Sequence, residues 1–390
     1  MNPLMSAEQA VLGAALLDPE QLTHLEWLAA DHFYRPVHQA LFAALRKLRN
    51  DGHPALSADG PLPLSWVIDA VEEAGQHVRG LTAAYAHTLI QACPRTEHAP
   101  VYGRMVLEGA IHRTVAQHAI RLHQAARADA VQGEVEGALR TADVLTGVLT
   151  DHARRWGTDP RPVPPTAGPS AATDIPLPAQ SGQVAEDERF LLAVLAEQPG
   201  AMGEVVAWLR PGDFADPTHG QLYRCLGALH HRGEPIDRIT LLWEAQRRGL
   251  LADGTVSSEQ LTAVCEGMVP GSADWFGQRV MRSSLTRTAA ASARAIRALA
   301  QDEVLGPGRL INHALHALGP LDDVRARWAT ANSSPAPKAT ASAPPTAEPP
   351  PDRVKAARAR STPRPGASPP APASRLPTLS TARPPSRGHP

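Results

Sequence analysis

One segment of this chain is written twice. Phe33, Pro36, His38, Leu41, Phe42, Leu45, Leu48, Gly52 and Pro54 return as Phe214, Pro217, His219, Leu222, Tyr223, Leu226, Leu229, Gly233 and Pro235, with the gaps unchanged at an offset of 181. Shared composition does not reproduce a nine-position register, so the chain contains an internal duplication. The echo extends both ways. Glu8, Val11 and Leu12 match Glu188, Leu191 and Leu192; Tyr102, Gly103, Val106, Arg113 and Thr114 match Phe276, Gly277, Val280, Arg287 and Thr288. The offset drifts as loops gain or lose residues. Whatever one copy folds into, the other must fold into as well.

The local signals are helical. Ser6 precedes Gln9 by three, a capping-box spacing, and Val11, Leu12, Ala15 and Leu16 follow at helical intervals until Asp18-Pro19. Pro36 suits a first helical turn because its missing amide would have no partner there. Val37, Leu41, Leu45 and Leu48 make one stripe that Gly52 ends; the twin runs from Pro217 to Gly233. Ser65 and Thr240 are competent caps for a shorter helix in each copy. Long helices are expected over Ala99–Arg127 and Ala273–Gln301, each followed by a break and another helix, as at Gly306-Pro307-Gly308. Each copy thus ends in an αα-hairpin. No alternating strand pattern is present.

The element F-x-x-P-x-H-x-x-L-[FY]-x-x-L, some 20–25 residues after E-x-x-[VL]-L, resembles the N-terminal domain of DnaB-type replicative DNA helicases. Asp213 before Phe214 is closer to that pattern than His32 before Phe33. The aromatic–glycine pairs with Arg113 or Arg287 beyond them resemble the start of that domain's hairpin. The resemblance implies a collar-forming domain whose hairpins pair between subunits and which helps primase and loader proteins engage. It makes Phe33, Pro36, His38, Phe214, Pro217 and His219 structural motif residues. Tyr102 and Phe276 are candidate interface residues beside Arg113 and Arg287; each arginine reads either as a surface ion pair with a neighbouring acid or, since arginine is enriched in interface cores, as an interface residue expected near the seam between hairpins.

A full helicase of this kind also needs a motor with G-x-x-x-x-G-K-[ST], whose amides and lysine hold phosphates. The three lysines, Lys47, Lys338 and Lys355, follow Arg46, Pro337 and Val354, so no Gly-Lys pair exists, and nothing of motor length follows residue 328. Catalysis by this chain is not expected, and no catalytic, cofactor-binding or metal-binding residue is assigned. His38 and His219 lack companion ligands at short spacing; each is expected to pack at its helix start and bond a loop carbonyl. His112, His118 and His123 do not stack on one face. No G-x-S-x-G occurs. Glu72-Glu73 and Asp322-Asp323 read as solvated helix surface.

Composition enters through charge. The overall net charge is −1, yet from Ala329 onward nine basic residues face two acidic ones, a net of +7. That region is rich in Pro, Ala, Ser and Thr and is expected to be disordered. Without aromatic residues it supports only weak, sequence-blind DNA binding. Residues 157–183 read as a flexible linker with a reach of roughly 30 Å, enough for the two hairpins to meet as an intramolecular pseudo-dimer. Three cysteines without C-x-x-C spacing, no cationic leader and no long apolar run fit a reduced cytoplasmic setting away from membranes.

The expected organisation is therefore all-α: a helical-bundle domain over 1–152, a flexible Pro/Ala-rich linker over 153–183, a second domain over 184–328, and a disordered basic tail over 329–390. The expected role is a non-catalytic interaction module in DNA replication, with self-association. By resemblance its partners are the replicative helicase, primase or a helicase loader. Two alternatives remain open: a DNA-binding accessory protein using the tail, and a helicase subunit taking its motor from another chain.

Overall fold

Helices account for the secondary structure of the computed structural model, which describes residues 2–57, 63–165, 181–266 and 270–333; no strand occurs among them. In the first copy, α1 spans Pro3–Leu17, α2 Gln21–His24, α3 Pro36–Asn50, α4 Leu64–Gly75, α5 Ala83–Ala92, α6 Ala99–Gln132 and α7 Glu136–Trp156. In the second, α8 spans Ser181–Glu197, α9 Met202–Val206, α10 Pro217–Arg232, α11 Arg238–Arg247, α12 Ser258–Glu266, α13 Ala273–Gln301 and α14 Pro307–Ser333. The expected fold class holds: each copy is a head of short helices ending in a long αα-hairpin, α6–α7 or α13–α14. The duplication seen in the sequence is a duplication of elements.

Several boundaries move for local reasons. The cap of α1 is Asn2, whose side chain accepts from the amides of Leu4 and Met5, so Pro3 starts the helix earlier than a Ser6 cap would. Helix α11 is capped by Asp237, with Thr240 completing the box; α4 follows Pro63 and has no side-chain cap. Helix α6 continues past Arg127 until Gly133 takes a left-handed conformation at φ 73°. Helix α14 continues to Ser333, past the expected start of the tail, and α7 continues to Trp156, into the expected linker. Residues 334–390 and 166–180 lie outside the described residues.

The earlier part of the linker is held in place. The Val163 amide donates to the Asn312 carbonyl at 3.2 Å, the Arg161 amide donates to Asn312 Oδ1 at 3.1 Å, and His313 Nδ1 donates to the Val163 carbonyl at 2.8 Å. Residues of the first copy's exit therefore lie along α14 of the second. The buried apolar side chains of both copies form one continuous cluster.

Candidate functional site

Within each head the same polar clasp ties the opening helix to the proline-led helix. Glu8 of α1 is buried (2% exposed) and bonds His38 Nδ1 at 2.7 Å while accepting from the Tyr34 amide. Glu188 of α8, fully buried, bonds His219 Nδ1 at 2.8 Å and accepts from the amides of Ala215 and Asp216. A carboxylate buried this deeply requires such donors, because desolvation otherwise disfavours its charge. The expectation of a carbonyl partner for His38 and His219 is corrected: the partner is the glutamate of the opening motif. That glutamate was the residue the sequence reading missed as a partner. Its signal was available, since glutamate and histidine recur 30 residues apart in one copy and 31 in the other. His38 also meets Tyr85 Oη through Nε2 at 2.8 Å, a contact peculiar to the first copy.

The remaining motif residues serve the same junction. Pro36 and Pro217 open α3 and α10. Phe33 and Phe214 are buried against Phe42 and Tyr223, with ring centroids 4.9 and 5.1 Å apart. The glycines of the aromatic–glycine pairs let a tryptophan close on the hairpin: a Cβ at Gly277 would lie 2.5 Å from Trp208, and one at Gly103 would lie 2.7 Å from Leu25 and 3.2 Å from Trp27. Phe276 is buried beside Phe190 and Trp275 in its own head, and Tyr102 sits edge-on to His98. Neither aromatic ring has its described ring partners in the other copy.

Arg113 and Arg287 are half-buried and face their own heads. Arg113 donates to the His32 carbonyl at 2.6 Å and stacks over Tyr34; Arg287 donates to the carbonyls of Asp213 and Phe214. They fasten the turn before each proline-led helix to the hairpin.

The two copies meet along their hairpins. Helix α6 makes its most extensive interhelical contact with α13, and α7 packs against α14. His112 Nδ1 donates to the Ala300 carbonyl at 3.0 Å, while at the other end Arg282 approaches the Gly133 carbonyl at 3.5 Å. Rising positions on α6 thus meet falling positions on α13, so the pair is antiparallel. Ala119, Ala126, Ala289 and Ala293 are buried, and small side chains let helices approach closely. Burial, with Arg294, Arg127 and Arg297 nearby, holds His123 below the usual imidazole range. Arg325 of α14 forms a two-pronged pair with Asp143 of α7, both contacts 2.7 Å, and donates to the Leu139 carbonyl. Along the hairpins Ile111, Val115, Leu122, Val280, Leu285, Ile296 and Leu299 are buried, whereas Val101 and Met105 are exposed.

No group of three or more His, Cys, Asp and Glu side chains among the described residues is arranged to hold a metal ion. None of the described helices is long and apolar enough to cross a membrane. What the geometry defines is a duplicated helical fold whose two hairpins pack on each other.

The comparisons with known proteins place it. The DnaB-like helicase N terminal domain model matches residues 2–108 and 180–270, about half the chain, once in each copy; the chain belongs to this family. It is 34% identical over 138 residues to the replicative DNA helicase DnaB of Mycobacterium leprae, covering 34% of this chain and 21% of that protein. It is 36% identical over 156 residues to that of Treponema pallidum, covering 40% and 33%, and 32% identical over 123 residues to that of Geobacillus stearothermophilus, covering 31% and 25%. The chain thus spans between a fifth and a third of the length of these curated relatives. No solved structure matches significantly.

Proposed function

We propose that this protein is a non-catalytic interaction module of the DNA-replication machinery, acting on or beside a replicative helicase in a cytoplasmic setting. The observation that supports this most is the seam. The contact that the family resemblance assigns to hairpins of two subunits is made here between α6 and α13 of one chain. Such a chain arrives already paired and has its other surfaces free for the helicase, primase or a loader. The matched family model is the N-terminal domain alone, which fits a role in assembly rather than in ATP-driven unwinding. The test is affinity capture of the full chain from its native cells, followed by reconstitution with the captured protein. Enrichment of helicase, primase or loader, with no ATP hydrolysis by the isolated chain, is the expected outcome. Stoichiometric Mg²⁺-dependent ATP binding by the isolated chain would overturn it.

The basic tail motivates a second reading, an accessory DNA-binding role. Affinity that collapses with salt and vanishes on deleting residues 334–390 would favour it.

A further inference from the structure

Helix α11 of the second head turns an apolar face outward. Ile239 and Trp243 are 77% and 62% exposed, and the exposed Arg247 continues their line, because residues at i, i+4 and i+8 share a helix face. Single exposed apolar residues need no explanation, but an aliphatic and an indole side chain one turn apart make a patch.

Charge decides what fits that patch. Glu244, the one acid of α11, is buried, and Arg232 and Arg248 both donate to it, at 2.7 and 2.6 Å. Glu234 is held by Arg232 at 2.9 Å, and the Asp237 side chain caps α11 by accepting from the amides of Ile239 and Thr240. These acids are engaged within the head, while Arg238 and Arg247, one at each end of the helix, stand exposed. A basic segment laid over Ile239 and Trp243 would meet like charge at both ends; an acidic one would be attracted at both. A nucleic-acid strand is also anionic, but it binds through a run of stacked bases. Trp243 is the only aromatic residue of α11, and its exposed neighbour Ile239 offers a base no ring.

The first head supplies an internal control. There α4 takes the place of α11, with Trp66 and Ala70 buried where Leu241 and Ala245 are, and its outward face repeats the apolar step as Leu64 and Ile68. The charge is reversed: Glu72 stands where Arg247 stands, and α4 contains three acids and no basic residue.

We propose that α11 is the docking site for an acidic, apolar-faced segment of another protein, whose apolar side chains cover Ile239 and Trp243 while its carboxylates meet Arg238 and Arg247. One chain takes one such segment, because the duplicate face on α4 repels it. This rests on the reading of the chain as an interaction module and adds to it a surface and the chemistry of a partner. A synthetic peptide tests it without native extract, so its failure leaves the capture experiment above to judge the module itself.

The experiment is fluorescence anisotropy of the full chain with labelled probes: a helical peptide with leucines along one face and glutamates beside them, the same peptide with lysines in place of the glutamates, and an oligothymidylate. The glutamate peptide should bind saturably, one per chain, and the lysine peptide at least about tenfold more weakly. Trp243→Asp should weaken the glutamate peptide at least about tenfold and, at an exposed position, leave helical circular dichroism unchanged. Arg247→Glu should weaken it as well and shift the preference toward the lysine peptide, a reversal that mere loss of structure would not give. Ile68→Asp on α4 should leave binding as it was. No saturable binding of the glutamate peptide, equal binding of the two peptides, or binding indifferent to Trp243→Asp overturns the proposal. Oligothymidylate that binds more tightly than the glutamate peptide and is lost in Trp243→Asp makes the face a nucleic-acid site and overturns it too. Self-association of the chain that Trp243→Asp abolishes does the same, because a second copy then covers the face.

Discussion

The two heads carry the same fold on different chemistry at one buried position. In the second head Asp213 accepts from the Arg210 amide at 2.7 Å and from Ser284 Oγ at 2.8 Å, and it forms a two-pronged pair with Arg327 of α14. In the first head His32 takes that place and Arg155 of α7 takes the place of Arg327. The Ala29 amide lies 3.0 Å from His32 Nδ1 and Arg155 Nη1 lies 3.1 Å from Nε2. A neutral imidazole has one acceptor nitrogen, so only one of those two donors is satisfied at a time. Burial, with Arg155 and Arg113 close by and Asp31 opposing, holds His32 below its ordinary value. Nearby His152 is pushed down to about 4, by burial first and then by Arg155, His32 and His118, with Asp151 opposing. Where a carboxylate complements an arginine, the junction is closed by charge; where a histidine stands in, it is closed only while the histidine stays neutral.

The largest expected difference comes from deleting the acceptor. Asp213→Ala removes the two-pronged partner of the half-buried Arg327 and the acceptor of the Arg210 amide, and should cost about 3 kcal/mol. His32→Ala removes a neutral acceptor and should cost about 1–2 kcal/mol. Urea denaturation of the full chain reads both, and equal losses would erase the comparison.

Acid should act mainly on the first head. A histidine whose folded pKa is lowered contributes stability that is fully present above about pH 6.5, the ordinary value, and declines as pH falls through that point. For His152 the decline should extend to about pH 4 and amount to roughly 3 kcal/mol. Thermal melts between pH 7 and 4 should show it. His152→Val, which copies Val324 of the second head, should flatten the profile. His32→Asp should do so in part, by giving Arg155 a carboxylate; an unchanged profile in both variants would remove histidine as the cause.

The smallest effect belongs to the charged edge of the seam. Arg325→Ala loses a half-exposed pair with Asp143 and should cost no more than about 1 kcal/mol. The buried middle of the seam should instead survive severing the chain. With a protease site placed between residues 165 and 181, the cut halves should co-elute on a sizing column. Separate elution would show that the heads are independent.

Much of this was legible in the residues themselves. The duplication, the proline-led helices and the hairpins follow from spacing that recurs, because helix starts and stops are local chemistry. Glu8 and Glu188 were visible as echoes but not as partners of His38 and His219, since a bond across some 30 residues depends on how α1 lies against α3 and α8 against α10. Arg113 and Arg287 look like interface residues in sequence because arginine suits interfaces. In the folded chain they are drawn inward by carbonyls that the turns at His32 and Asp213 leave exposed to them.

The sequence by itself determined that there are two copies, that both are helical, and that each ends in a hairpin, because periodicity, caps and breakers act within a few residues. The tertiary structure decided where the copies meet and which charges serve that meeting. His112 finds Ala300 and Arg325 finds Asp143 only once α6 and α13 lie antiparallel, and no local rule ranks that contact above the others an apolar helix face offers. It also decided that residues 161–163, an Arg-Pro-Val stretch flanked by prolines in sequence, lie bonded along α14, because Asn312 and His313 supply the partners that the segment lacks on its own.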